Sequence, residues 1–233
     1  MAVIYHHSQW GVSRPILGVL FDMDGLVLDS ERLYTRFWME AAQALGYPMT
    51  RQQALGLRSL GKVPAQAHLT RCFGPGIDYT QVRTKRIELM DAFVAEHGIA
   101  PKPGIFALLD YLEEKDIATA ITSSSPMEYI IRHLTSNDLA HRFRRLCSGH
   151  EVPNGKPAPD IYLYGAKVLG LQPEECLALE DSPAGIEAAY RAGCLPVMIP
   201  DQDEPDEKTM PLLYAKADSL ADVISIIQLH CAK

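Results

Sequence analysis

Apolar and polar positions follow two rhythms along this chain. Ile16-Leu17-Gly18-Val19-Leu20-Phe21 is an unbroken apolar run, the signature of a strand buried on both faces. Over residues 31–45 the period becomes helical, with Leu33, Phe37, Trp38, Ala41 and Leu45 on roughly one side, and Gly46-Tyr47-Pro48 ends it. Thr50 with Gln53 three residues later is a capping box and predicts a short helix. Residues 56–62, with two glycines and two cations, break that pattern before helical spacing resumes over 64–73 and 80–97. No strand is predicted between Ser30 and Gly98, so this stretch reads as a helical insertion of small-bundle size.

Beyond residue 98 strands and helices alternate. Pro103 fits a first helical position ahead of Ile105, Leu108, Leu109 and Leu112. A strand is predicted over 117–121, then a helix behind a second capping box, Ser125 with Glu128 and Pro126 first in the helix, then a strand over 145–148. A helix over 160–169 stops at Gly170. The next strand, 176–179, runs into Glu180-Asp181, and Ser182-Pro183 starts a helix that ends at Gly193. A strand over 195–199 carries Pro196, which suits only its first residue or a sheet edge. A helix over 220–230 closes the pattern. The alternation predicts an α/β fold: a doubly wound parallel-sheet, Rossmann-like core (residues 14–30 and 98–233) with an inserted helical-bundle domain (residues 31–97).

Composition narrows the class. With 233 residues, 47% hydrophobic and 22% charged, the chain can bury a sizeable core. A formal net charge of -7 argues against nucleic acid and anionic membranes as partners. Cys72, Cys147, Cys176, Cys194 and Cys231 are scattered, with no C-x-x-C pair, which fits reduced thiols and not a zinc site. The histidines include His6-His7 but no H-x-x-H, and read as surface or core residues. Residues 1–15 lack the character of a signal peptide, and no run approaches membrane-spanning length. A cytoplasmic monomer is expected.

The residues able to do chemistry gather where predicted strands end. Asp22 and Asp24 follow the first strand, with Gly25 for a sharp turn; Thr122, Ser123 and Ser124 follow the second. Lys156, held in place by Pro157 and Pro159, lies in Gly155-Lys156-Pro157-Ala158-Pro159, and Glu180 and Asp181 end a later strand. Ligands of doubly wound sheets bind outside those carboxyl ends. Clustered carboxylates are costly unless a cation or protons neutralise them. An all-oxygen, anionic set selects a hard cation: magnesium, partly hydrated and completed by a substrate phosphate, fits, whereas calcium would want more protein ligands. Hydroxyls at a helix N-terminus together with the Lys156 charge describe a phosphoryl clamp. One aspartate is then free to attack phosphorus.

Asp22-Met23-Asp24-Gly25, Thr122, Lys156 and Glu180-Asp181 resemble, in order, the four motifs of the haloacid-dehalogenase-like hydrolase superfamily, across nearly the whole chain. Lys156-Pro157-Ala158-Pro159-Asp160 and Glu180-Asp181-Ser182-Pro183-Ala184-Gly185-Ile186 are similar to the subgroup with an α-helical cap between its first two motifs. The resemblance implies Asp22 as nucleophile, forming an aspartyl-phosphate, and Asp24 as general acid/base. It implies magnesium on the Asp22 carboxylate, the Asp24 carbonyl and Asp181, with Glu180 a ligand or just outside the ligand set. Thr122 and Lys156, with Ser123 and Ser124, would hold the phosphoryl oxygens. Arg58 and Lys62 fall where this subgroup places its substrate-recognition loop, although a solvated basic turn reads equally well.

Asp24 also sorts the chemistry within that superfamily. Its dehalogenases lack this second aspartate, because halide needs no proton, and its phosphonate hydrolases lack an acid there. The β-phosphoglucomutases share cap and motifs but carry His where this chain has Tyr34. The stretch from Phe21 to Tyr34 is more similar to pseudouridine-5'-phosphatases and related sugar-phosphate phosphatases. Hydrolysis of a small phosphorylated metabolite, a sugar phosphate or nucleoside monophosphate, is therefore favoured over a phosphosugar mutase. A receiver-like phosphoacceptor module clusters similar residues, but it is about half this length and has no such insertion. Tyr34, Phe37 and Trp38 read as helix packing. His68, His97 and His133 read as structural or exposed, Asp29 as a cap or hinge, and residues 201–208 as a solvated acidic loop.

Overall fold

The computed structural model describes residues 15–58 and 60–231, with Val3, Ile4 and Cys231 as backbone only. His6, His7, Ser59 and Arg14, the expected first residue of the core, lie outside the described residues. In chain order the elements are β1 (Val3–Ile4), β2 (Gly18–Phe21), α1 (Ser30–Ala44), α2 (Arg51–Leu55), α3 (Lys62–Phe73), α4 (Tyr79–His97) and α5 (Ile105–Glu114). There follow β3 (Ala118–Ser123), α6 (Met127–Ser136), β4 (Arg145–Ser148), α7 (Asp160–Leu169), β5 (Cys176–Glu180), α8 (Pro183–Ala192), β6 (Leu195–Met198), β7 (Ala215–Lys216) and α9 (Val223–Cys231).

The strands form one sheet in the order β1-β7-β6-β5-β2-β3-β4. All neighbours are parallel except β1 with β7. The carboxyl ends of β2, β3, β4 and β5 therefore share one edge, with β2 between β3 and β5. Every residue of β2, β3 and β5 is buried, which is why these strands read as apolar runs and not as alternating ones. Leu20, Ala120, Cys147 and Ala178 of the sheet meet Ile161, Tyr162 and Ala166 of α7 and Ala188 and Ala189 of α8 in one cluster.

The described residues divide into two compact units: the stretches up to Asp29 and from Ala100 onward, which carry the sheet, and Ser30–Ile99. The second unit holds α1 to α4, with no strand among its described residues. Trp38, Ala41, Leu57, Leu69 and Val82 bury its core, and α1 packs along α4. Trp38 stacks on Tyr79 with centroids 5.8 Å apart and Phe37 meets Phe93 at 5.4 Å, as helix packing predicts. The Thr50–Gln53 capping box forms at the start of α2. His68 Nε2 lies 2.8 Å from the Gln53 carbonyl, tying α3 to α2. His97 is exposed and His133 buried.

Several local expectations change. Thr122 and Ser123 belong to β3, which runs beyond its predicted end. Pro103 precedes α5, whose N-cap is Gly104. Lys62 is the exposed first residue of α3 and not part of a loop. Pro196 is the second residue of β6, an interior strand. The Ile199 N–H donates to Glu180 on the β5 side, so alternation turns the missing Pro196 donor toward β7. Pairing with β7 begins only at Val197, so no ladder bond is lost. The acidic stretch over 201–208 is mostly exposed, as expected of a solvated loop, and is also tied down: Asp201 accepts from Lys102 at 2.6 Å, Glu204 from Lys216 at 2.5 Å, and Asp206 from the Thr209 N–H at 2.8 Å. Beside Asp29, the two chain passages are joined by Asp29 N–H to Ala100 O (2.9 Å) and Lys102 N–H to Val27 O (2.8 Å). Among the described residues no helix is long and apolar enough to cross a membrane.

Candidate active site

Asp22 follows β2 directly, and its N–H donates to the Leu179 carbonyl at 3.0 Å. This continues the β2–β5 ladder one residue past the strand and holds Asp22 beside Glu180. The chain then turns tightly: Val27 and Leu28 both donate to the Met23 carbonyl at 3.0 Å. Gly25 has φ of 87°, a conformation that a side chain would strain.

Around Asp22 the structure assembles a buried charge cluster. Lys156 Nζ lies 2.5 Å from Asp22 Oδ1 and 2.6 Å from Glu180 Oε1. Asp22, Glu180 and Asp181 each offer an oxygen within 4.8 Å of the others, and all three are buried. Burial pushes the Asp22 carboxyl up, to about 8, with Glu180 and Asp24 adding to the shift and Lys156 opposing it. Burial pulls Lys156 down, but the Asp22 and Glu180 carboxylates outweigh it and hold the ammonium above its ordinary range. Three buried carboxylates cluster here, and the one ammonium contacts two of them, Asp22 and Glu180. An all-oxygen set with excess buried negative charge is what a divalent hard cation completes, so the residues fit magnesium.

Glu180 is the most constrained member. Its Oε1 accepts from Lys156 and from the Tyr162 hydroxyl, and its Oε2 accepts from Ser182 Oγ at 3.3 Å. A Cβ at position 185 would lie 1.9 Å from the Glu180 carboxyl carbon, so only glycine lets α8 approach this closely. Burial pushes the Tyr162 phenol well up, with Glu180 and Asp22 adding to it, which keeps the hydroxyl a neutral donor.

Asp24 is held from another element. Ser125 Oγ donates to Asp24 Oδ2 at 2.8 Å, and the Tyr129 hydroxyl lies 3.4 Å from Oδ1. The expected Ser125–Glu128 capping box is absent: α6 starts after Pro126 without a side-chain cap. Pro126 takes the cap position and has no side-chain acceptor, so the Ser125 hydroxyl falls one residue too early to cap the helix. Thr122 is tied to the sheet. Its fully buried Oγ1 donates to the Phe21 carbonyl at 3.2 Å. Ser123 accepts from the Ser125 N–H at 3.1 Å, and its own hydroxyl proton goes to no described residue. Ser124 is exposed.

In the helical unit, Arg58 Nε donates to Glu31 Oε2 at 2.9 Å, with both side chains largely buried. The structure thus joins Asp22, Lys156, Glu180 and Asp181 and sets Asp24 against Ser125 and Tyr129, whereas Arg58 is paired within its own unit and Lys62 is exposed. Sequence reasoning missed Tyr162, Gly185, Ser125 and Tyr129. For Tyr162 a signal existed: a tyrosine on the buried face of a helix needs a partner for its hydroxyl. A cavity of about 500 Å³ opens beside Thr119 at the start of β3, but its arginines already pair, Arg142 with Asp110 and Glu113 and Arg144 with Asp116.

The family model for haloacid dehalogenase-like hydrolases matches residues 19–199, a span that contains Asp22, Asp24, Lys156, Glu180 and Asp181. Hexitol phosphatase B of Escherichia coli (strain K12) is 30% identical over 214 residues, covering 90% of this chain and 95% of that protein. A probable pseudouridine-5'-phosphatase of Drosophila melanogaster is 32% identical over 220 residues, covering 91% and 93%. A haloacid dehalogenase family hydrolase of Deinococcus radiodurans R1, solved with bound phosphate and sodium, shares the fold with a TM-score of 0.80 at 23% identity, over 93% of this chain and 97% of that one. With both its motif-bearing core and nearly its full length matched, the chain belongs to the haloacid dehalogenase-like hydrolase family.

Proposed function

We propose that this hydrolase is a magnesium-dependent phosphatase that cleaves a small phosphomonoester, a sugar phosphate or nucleoside monophosphate, through a phosphoryl group carried on Asp22. The observation that carries this reading is the 2.5 Å contact of Lys156 with Asp22 inside a buried carboxylate cluster at the sheet edge. Names of the relatives, hexitol phosphatase and pseudouridine-5'-phosphatase, support a compact polyol or ribose phosphate as substrate.

An Asp22 carboxylate oxygen bonds to phosphorus, the bond from phosphorus to the ester oxygen breaks, and Asp24 gives that oxygen a proton. Asp24 then takes a proton from water as the water oxygen bonds to phosphorus and the bond to Asp22 breaks, releasing phosphate. Lys156 and the Ser123 hydroxyl, with Ser124, hold the phosphoryl oxygens, whereas Thr122 anchors β3 to β2. Asp22, Asp181 and the Asp24 carbonyl would hold magnesium, which when bound neutralises charge on the phosphoryl oxygens. Glu180, engaged by Tyr162, Lys156 and Ser182, orients Lys156 from outside that ligand set. The inserted unit, Ser30–Ile99, serves as the cap, with Arg58 and Lys62 as its substrate-reading cations.

The test is phosphate release from a panel of hexitol, hexose and pentose phosphates and nucleoside monophosphates, before and after dialysis against EDTA. Magnesium-restored hydrolysis of one class is expected. Activity undiminished by EDTA overturns the metal assignment. Isomerisation of β-glucose-1-phosphate outrunning its hydrolysis would replace the phosphatase with a mutase.

A further inference from the structure

We propose that Ser125 and Tyr129 are positioning residues that aim the Asp24 carboxyl at the leaving-group oxygen; this rests on the reading of Asp24 as the acid that protonates the leaving group. Ser125 itself is immobilised from two strands. Its N–H donates to Ser123 Oγ of β3 at 3.1 Å, and its carbonyl accepts from Ser148 Oγ of β4 at 2.7 Å. The chain is crowded here, since a Cβ at Gly149 would lie 3.0 Å from Ser124 Cα. Ser125 Oγ is thus presented to Asp24 Oδ2 at 2.8 Å by a backbone with little freedom to follow a wandering carboxylate. Tyr129, in the first turn of α6, brings its hydroxyl to 3.4 Å from Oδ1, so the two oxygens of Asp24 meet two different donors. The Tyr129 ring is braced in turn against His133, centroids 4.2 Å apart.

Two bonds to two oxygens fix both the position and the plane of a carboxyl group. Neither donor is needed to fold the loop, whose turn closes through main-chain bonds of Met23, Gly25, Val27 and Leu28. Their effect should therefore fall on the proton given to the leaving oxygen and not on phosphoryl capture by Asp22. Loss of such aim by about 1 Å can cost on the order of 100-fold in rate.

The experiment compares first-turnover rates of the magnesium-loaded enzyme on two monoesters. One is an alkyl phosphate, whose alkoxide must be protonated as it leaves; the other is p-nitrophenyl phosphate, whose phenolate leaves without a proton. Ser125→Ala is expected to slow the first turnover of the alkyl ester roughly 10- to 100-fold while leaving the p-nitrophenolate burst within about threefold. Tyr129→Phe should show the same pattern more weakly, and Ser125→Thr, which keeps the hydroxyl, should recover most of the loss. Equal slowing of both esters, or no slowing of either, overturns the proposal, and melting temperatures close to that of the parent exclude misfolding as the cause. Asp24→Asn tests the underlying reading separately. If that variant protonates the alkyl leaving group at the parental rate, Asp24 is not the acid, whatever Ser125 does.

Discussion

Lys156 Nζ lies 2.5 Å from Asp22 Oδ1, although 134 residues separate the two in the chain. The parallel sheet makes this meeting possible, because β2 and the loop after β4 both end at one edge. Replacing the lysine removes the only described ammonium in the cluster and leaves its buried carboxylates uncompensated. Lys156→Met should lower turnover by ~10²–10³. Without metal it should also lower stability by about 3–5 kcal/mol, as breaking a buried ion pair does. Urea unfolding in EDTA and again with magnesium would show the gap between variant and parent narrowing when the cation is added. A rate loss below tenfold would remove Lys156 from the site.

Tyr162→Phe should cost about 1–3 kcal/mol, because it strips a donor from a fully buried carboxylate, and should slow turnover by letting Glu180 and Lys156 drift. Gly185→Ala forces the Glu180 side chain to move and should impair activity more than its change in melting temperature would suggest. An active Gly185→Ala enzyme would show that the placement of Glu180 is immaterial.

Arg58→Ala should change the ranking of substrates across the metabolite panel, while small generic esters are left nearly untouched. Glu31→Gln should produce part of the same change, since Glu31 holds the guanidinium at 2.9 Å. Lys62→Ala, at an exposed helix start, should do less. A uniform loss over all substrates would mean that the Arg58–Glu31 pair only supports the helical unit.

Burial pushes the thiols of Cys147 and Cys176 up to about 12, and Cys194 well above its ordinary value. Their folded values exceed the unfolded one, so stability is complete below about pH 9 and falls as pH rises toward about 12, where only the unfolded chain ionises first. Unfolding free energy measured across that window should decline less steeply in Cys147→Ala than in the parent. In native protein at pH 8 these three thiols should resist a thiol reagent, while the partly exposed Cys72 reacts.

Much of this site could be read from the chain because its residues are properties of strand ends. Asp22, Glu180 and Asp181 each follow a buried apolar run, and any parallel sheet must place such positions together. The Thr50–Gln53 box was legible for a similar reason, since both partners lie within one turn of helix. What escaped depends on partners remote in sequence. Ser125 looks like a helix cap until Asp24, 101 residues earlier, is brought within 2.8 Å of it. Thr122 offers the same hydroxyl as Ser123, and only the register of β3 beside β2 directs its proton to the Phe21 carbonyl. The two-residue strands β1 and β7 are too short to show a period at all.

The central claim is that phosphorus bonds to Asp22, and acid quenching during turnover tests it most directly. Borohydride reduces an acyl phosphate, so peptide mapping after reduction locates the residue that carried the phosphoryl group. The account predicts homoserine at position 22, formed only when substrate and magnesium are both present. Conversion at Asp24 or Asp181, or none at any aspartate while phosphate is being released, would contradict it.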